Sequence, residues 1–166
     1  MNNVTPNLSP GQQPNVNNWQ DMPTETQEDL CQFSIYIAYR TGWKISFKDD
    51  EFLITAPDGE TQTMYSTLPL PDVWATAYYH GLIPPYATDA STALQLVELA
   101  QATFRLDSVA PEFWRAWFSP QGTMKNADTP ALAICFAWLS WKDWYNALPT
   151  QGIAYYASRY RMDAED

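Results

Sequence analysis

The chain has 166 residues and a formal net charge of −10, with 46% hydrophobic and 15% aromatic residues, which is the size of one ordinary domain and too much ring area for a disordered protein. The charge comes from 19 acidic residues against 9 Lys plus Arg, and charged residues are only 17% of the total, so it reflects a shortage of bases. Direct nucleic-acid binding, which draws its affinity from a basic patch, is not expected, and neither is imitation of a phosphate backbone, since the longest acidic run is Asp49-Asp50-Glu51.

Residues 1–24 hold six Asn and four Pro with hardly an aliphatic side chain, a composition that cannot offset its ordering entropy by burial. They are expected to form a flexible arm that becomes ordered across a neighbouring chain. From Thr24 to Arg40 the spacing predicts a helix: Thr24 or Thr26 caps it, Glu28 and Asp29 occupy the first turn, Leu30, Phe33 and Ile37 share a face, and Gly42 ends it. Trp43, Ile45 and Phe47 alternate with Lys44 and Ser46 as a half-buried strand, "FLITA" is a second, and the turn signal "PDG" at 57–59 returns "ETQTMY" as a third. An antiparallel meander is expected there.

"PDVWATAYYHG" at 71–81 reads as a short helix closed by Gly81. After Pro84-Pro85, Thr88 is the expected N-cap of a helix with Asp89 in its first turn and Ala90, Ala93, Leu94, Val97 and Phe104 as a narrow apolar stripe. "EFWRAWFS" at 112–119 alternates Phe113, Arg115 and Trp117 with Trp114, Ala116 and Phe118, a strand apolar on both faces apart from Arg115 and therefore placed mid-sheet. Residues 129–149 predict the longest helix, capped by Thr129, opened by Pro130 and ended by Pro149. Residues 150–166 form an aromatic, then acidic tail. The expected organisation is an arm (1–24), a single domain (25–149) and that tail. The fold class is α+β, with an antiparallel sheet of about four strands sandwiched by helices.

Two segments, "IPPYATDASTALQLVELA" (83–100) and "ADTPALAICFAWLSW" (127–141), together and in this order resemble the phage ABA-sandwich domain. The resemblance covers roughly residues 25–147 and leaves the arm and the tail as departures. It implies a phage or prophage origin and an antiparallel sheet between helical layers. Its motifs are structural, so it implies no catalytic residue.

Candidate chemistry is sparse. His80, the only histidine, falls in the last turn of a short helix, where a structural role is expected. Cys31 and Cys135 are expected as two buried thiols in a reducing compartment. One His, two separated Cys and no H-E-x-x-H or C-x-x-C predict no metal site, and 6 glycines without a phosphate loop predict no nucleotide or other cofactor. Neither a membrane span nor a signal peptide is expected, which places the protein in the host cytoplasm or packaged from there in the virion.

The aromatic excess is the informative feature. Trp138, Trp141, Trp144 and Tyr145 recur at helical spacing, with Trp138, Trp141 and Tyr145 on one side and Leu132, Cys135, Phe136 and Leu139 on another. A domain this small is not expected to enclose both, which makes one face a candidate interface, joined by Trp114, Trp117, Tyr155, Tyr156 and Tyr160. The function expected is non-enzymatic protein binding, as a virion- or assembly-associated component that binds viral subunits and also self-associates. The alternative is an inhibitor of a host defence system or host enzyme.

Overall fold

The computed structural model of the chain describes residues 19–65, 67, 70–119 and 124–148. Where a single domain is expected, the chain divides after Thr88 into two compact units. The α+β class and the antiparallel pairing are as expected from the sequence, but the six described strands form two sheets of three. Residues 1–18 of the expected arm lie outside the described residues, as does the tail from residue 149. The described end of the arm already belongs to the fold, because Trp19 in a 3-10 turn at Trp19–Asp21 is buried.

In the first unit α1 (Gln27–Thr41) opens with a reciprocal cap: Thr26 accepts from the Asp29 amide and the Asp29 carboxylate accepts from the Thr26 amide. Gly42, at φ 108°, ends it in the left-handed conformation that glycine adopts without strain. Six consecutive residues, Phe33 to Ala38, are buried, so this helix is enclosed all round rather than along one stripe. Next come β1 (Lys44–Lys48), β2 (Glu51–Thr55) and β3 (Thr61–Met64), paired in that order as an antiparallel meander.

Register puts Ile45, Phe47, Phe52, Ile54 and Met64 on one face, with Ile45, Phe52, Ile54 and Met64 buried and Phe47 against Phe52 at 5.0 Å. The β1–β2 link is a two-residue turn in which Asp49 and Asp50 both carry positive φ, 53° and 63°, the pattern of a type I′ hairpin. The β2–β3 link is the expected Pro57-Asp58-Gly59 turn, with Gly59 at φ 95°. Helix α2 (Leu70–Tyr79) packs against α1, buries Val73, Trp74 and Ala77, and ends at Gly81. In the loop at 83–88, Ala87 donates its amide to the buried Ser34 hydroxyl at 3.0 Å, and Tyr86 accepts from the Trp43 indole at 3.2 Å.

The second unit corrects two expectations. The N-cap is Asp89, which accepts from the Ser91 amide and the Thr92 hydroxyl, while Thr88 faces back to the Pro85 carbonyl. The helix that follows is not continuous: α3 (Ala90–Ala93) breaks at Leu94, and α4 (Gln95–Ala100) ends at Gln101 with φ 50°. Ala93 and Leu96 point inward and Leu94 is exposed, so the expected stripe is split, and Phe104 belongs to a strand.

Strands β4 (Thr103–Ala110), β5 (Phe113–Ser119) and β6 (Lys125–Ala127) form the second sheet, with β5 central as expected. Helix α5 (Pro130–Ala147) begins at the Thr129 cap with Pro130 in its first turn. Leu148 is extended at ψ 140°, the conformation favoured before a proline. The helix packs against all three strands and against α3 and α4, and Leu132, Ile134, Cys135, Trp138, Leu139 and Trp141 are buried on it.

Candidate protein-binding surface

The β4–β5 hairpin turns through Pro111 and Glu112, the latter at φ 58°, and the register slips at a bulge between Ser108 and Ala110. Below that bulge the pleat sorts side chains cleanly. Ala116 and Phe118 of β5 are fully buried, and Phe118 meets Trp141 of α5 at 6.0 Å, which makes theirs the helix-covered face. Phe104 and Leu106 lie on that face by register. Arg105 and Asp107 of β4 and Phe113, Arg115 and Trp117 of β5 occupy the opposite, outward face.

On that outward face the Arg105 guanidinium sits over the Trp117 ring at 5.2 Å and within 3.5 Å of the Asp107 carboxylate. Asp107 is the cross-strand partner of Arg115, whose Nη1 reaches the Met124 sulfur at 3.8 Å and whose Nε is buried with no hydrogen bond among the described residues. Phe113 and Met124 are exposed, at 39% and 48%. The side chains of Arg105 and Asp107 are 67% and 38% exposed, so their ion pair contributes about 0–1 kcal/mol and the cation–π contact about 0.5–1 kcal/mol. These are weak enough to be exchanged for a partner's groups. Tryptophan, phenylalanine, methionine and arginine are the residue types enriched at protein interfaces.

No family model, no curated protein and no solved structure matches this chain. The likeness to the phage ABA-sandwich domain therefore stands on its two sequence segments.

The structure distributes the expected contact residues unevenly. Trp138 and Trp141 are 3% and 5% exposed, a correction to the premise that a small domain leaves one face of α5 bare: the second sheet on one hand and α3 and α4 on the other both pack on it. Trp144 and Tyr145 in its last turns are half-buried, with Tyr145 stacked on Trp141 at 5.1 Å and 20°. Trp114 is half-buried on the helix-covered side of β5, and Trp117 is half-buried on the outward side. Tyr155, Tyr156 and Tyr160 lie outside the described residues. Arg105 and Asp107 escape sequence reasoning because β4 does; the signal available is the alternation of Thr103, Arg105 and Asp107 with Phe104 and Leu106.

Groups with chemical potential are scattered. Cys31 and Cys135 are free thiols, both buried as expected. Burial pushes both thiols up, against the thiolate that a nucleophile requires. His80 is exposed just beyond α2. Among the described residues no three His, Cys, Asp or Glu side chains are grouped to hold a metal, and no helix is long and apolar enough to cross a membrane.

Proposed function

We propose that the protein is non-enzymatic and acts by binding other proteins, as a virion- or assembly-associated component, with the outward face of the second sheet as its contact surface. The observation that carries this reading is Trp117, half-buried beneath a solvent-exposed arginine and sharing its face with Arg115 and Phe113 on a strand at the centre of its sheet. Such a site presents a rigid aromatic anchor with an adaptable cationic cover, the combination that dominates interface energetics. The viral assignment is supported by the resemblance of residues 83–100 and 127–141 to the phage domain.

The test is mass spectrometry of purified particles from the source phage, carrying either the unaltered chain or Trp117→Ala. Stoichiometric copies of the unaltered chain and a loss of at least about thirtyfold for W117A are expected, the cost of truncating an interface hot spot. Absence of the unaltered chain from particles would overturn the assembly role. Equal incorporation of W117A would overturn the assignment of the surface.

A further inference from the structure

Strand β4 pairs with β5 along one edge, and among the described residues no strand lies along its other edge. A free edge is a template for another chain unless something blunts it. One outer strand of the first sheet, β1, is blunted by charge: Lys44 and Lys48 are its two end residues, and self-pairing about Ser46 would set lysine opposite lysine. The other outer strands, β3 and β6, span only four and three residues. β4 has eight residues, its irregularity comes only after Ser108, and Thr103, Arg105, Ser108, Val109 and Ala110 are exposed.

We propose that two copies of this chain join edge to edge through β4, antiparallel, about a two-fold axis at Leu106, making one continuous six-stranded sheet. This deepens the proposed role and rests on it in taking the second sheet as a protein-contact surface. Symmetry and charge favour this register, the only one centred within Thr103–Ser108 that sets opposite charges against each other. A two-fold axis perpendicular to a sheet keeps each side chain on its own face, so it passes between two copies of the same residue. An axis at Arg105 would set arginine opposite arginine, and one at Asp107 would set aspartate opposite aspartate, both destabilising. An axis at Leu106 sets Arg105 of each copy opposite Asp107 of the other. With the Arg105–Asp107 contact already present within each strand at 3.5 Å, the four side chains form an alternating ring of charge, and both Trp117 surfaces fall on one side of the joined sheet.

Sedimentation equilibrium of the full chain over micromolar concentrations tests this, together with the charge reversals Arg105→Asp and Asp107→Arg. The unaltered chain dimerises. Each reversal converts both cross-strand pairs to repulsion and raises the dimer dissociation constant about ten- to a hundredfold. Mixing R105D with D107R restores association as a heterodimer, because each copy then faces the opposite charge. Leu106→Cys gives a second readout independent of the charges. The two introduced thiols would face each other across the axis at a separation suited to a disulfide, while Cys31 and Cys135 are buried, so mild oxidant yields a covalent dimer. A monomeric unaltered chain, reversals that associate as tightly as the parent, or L106C that stays uncrosslinked overturns the proposal. A chain that is monomeric yet incorporated into particles overturns the dimer alone, and a dimer absent from particles overturns the assembly role alone.

Discussion

Replacing Ser34 with alanine should destabilise the first unit by about 1–2 kcal/mol, because a single buried oxygen satisfies the loop that precedes the second unit. Ser34 is fully buried on α1 and is the buried polar side chain of the described residues, and Ala87, whose amide it accepts at 3.0 Å, is 1% exposed. Pro84 and Pro85 bring no N–H of their own to this loop, and the amides of Tyr86 and Thr88 are satisfied by the carbonyls of Pro84 and Pro85. Deleting the hydroxyl leaves the Ala87 amide without a partner and out of reach of water, a penalty of about 1–3 kcal/mol, with the lower half favoured because the void left is one oxygen in size. For a chain of this length each kcal/mol lowers Tm by roughly 2–4 °C, so S34A should melt roughly 2–8 °C below the parent. Urea and thermal unfolding followed by tryptophan fluorescence give the energy, and hydrogen exchange of the Ala87 amide locates it. Ser34→Cys, which keeps a weak acceptor, should fall between the two. A variant within about 0.5 kcal/mol of the parent, with the Ala87 amide still protected, would refute the reasoning.

Three further outcomes are expected. Thr129→Ala removes the hydroxyl that accepts from the Leu132 amide at 3.3 Å and should cost about 0.5–2 kcal/mol in chemical denaturation, with Thr129→Ser near neutral. Converting the β1–β2 turn from Asp49-Asp50 to Asn-Gly should stabilise the protein by about 1 kcal/mol, read as a higher urea midpoint at unchanged slope, since both positions hold positive φ that glycine and asparagine adopt more readily. Asp29, held below its ordinary 3.8 first by the Thr26 amide, contributes stability that is present above that value and lost as the pH falls through the folded value. Acid unfolding of Asp29→Asn, followed by circular dichroism, should therefore depend less on pH below about 4 than that of the parent.

What is legible in the sequence is what carries local signals. Thr26, one of two candidate caps, and Pro57-Asp58-Gly59, Gly42 and Thr129-Pro130 each state a cap or turn through their own chemistry and are found where expected, whereas Asp29, expected only as a first-turn acid, also accepts from the Thr26 amide. The helix after Asp89 is overextended in the sequence reading because apolar spacing runs on past its end to Phe104, and because the stop is Gln101, a residue that seldom takes φ 50° and gives no warning. That overextension absorbs β4, and Arg105 and Asp107 with it. The three residues of β6, Lys-Asn-Ala, carry no pattern at all. Trp138 and Trp141 show the limit of helical periodicity: spacing tells which residues share a side but not how many layers cover it, and α5 has partners on more than one.

Every described strand pairs with its immediate neighbour in sequence, and short hairpin loops close β1–β2, β2–β3 and β4–β5. Closing such loops costs little entropy, so the pairings carry low contact order despite being β structure. On a ribosome the β1–β3 ladder can therefore form while the second unit is still being synthesised. In the second unit the strands emerge before the helix that covers them. Between the completion of β5 and the arrival of α5, the Ala116 and Phe118 face has only water against it, and that interval is when this chain is most open to aggregation.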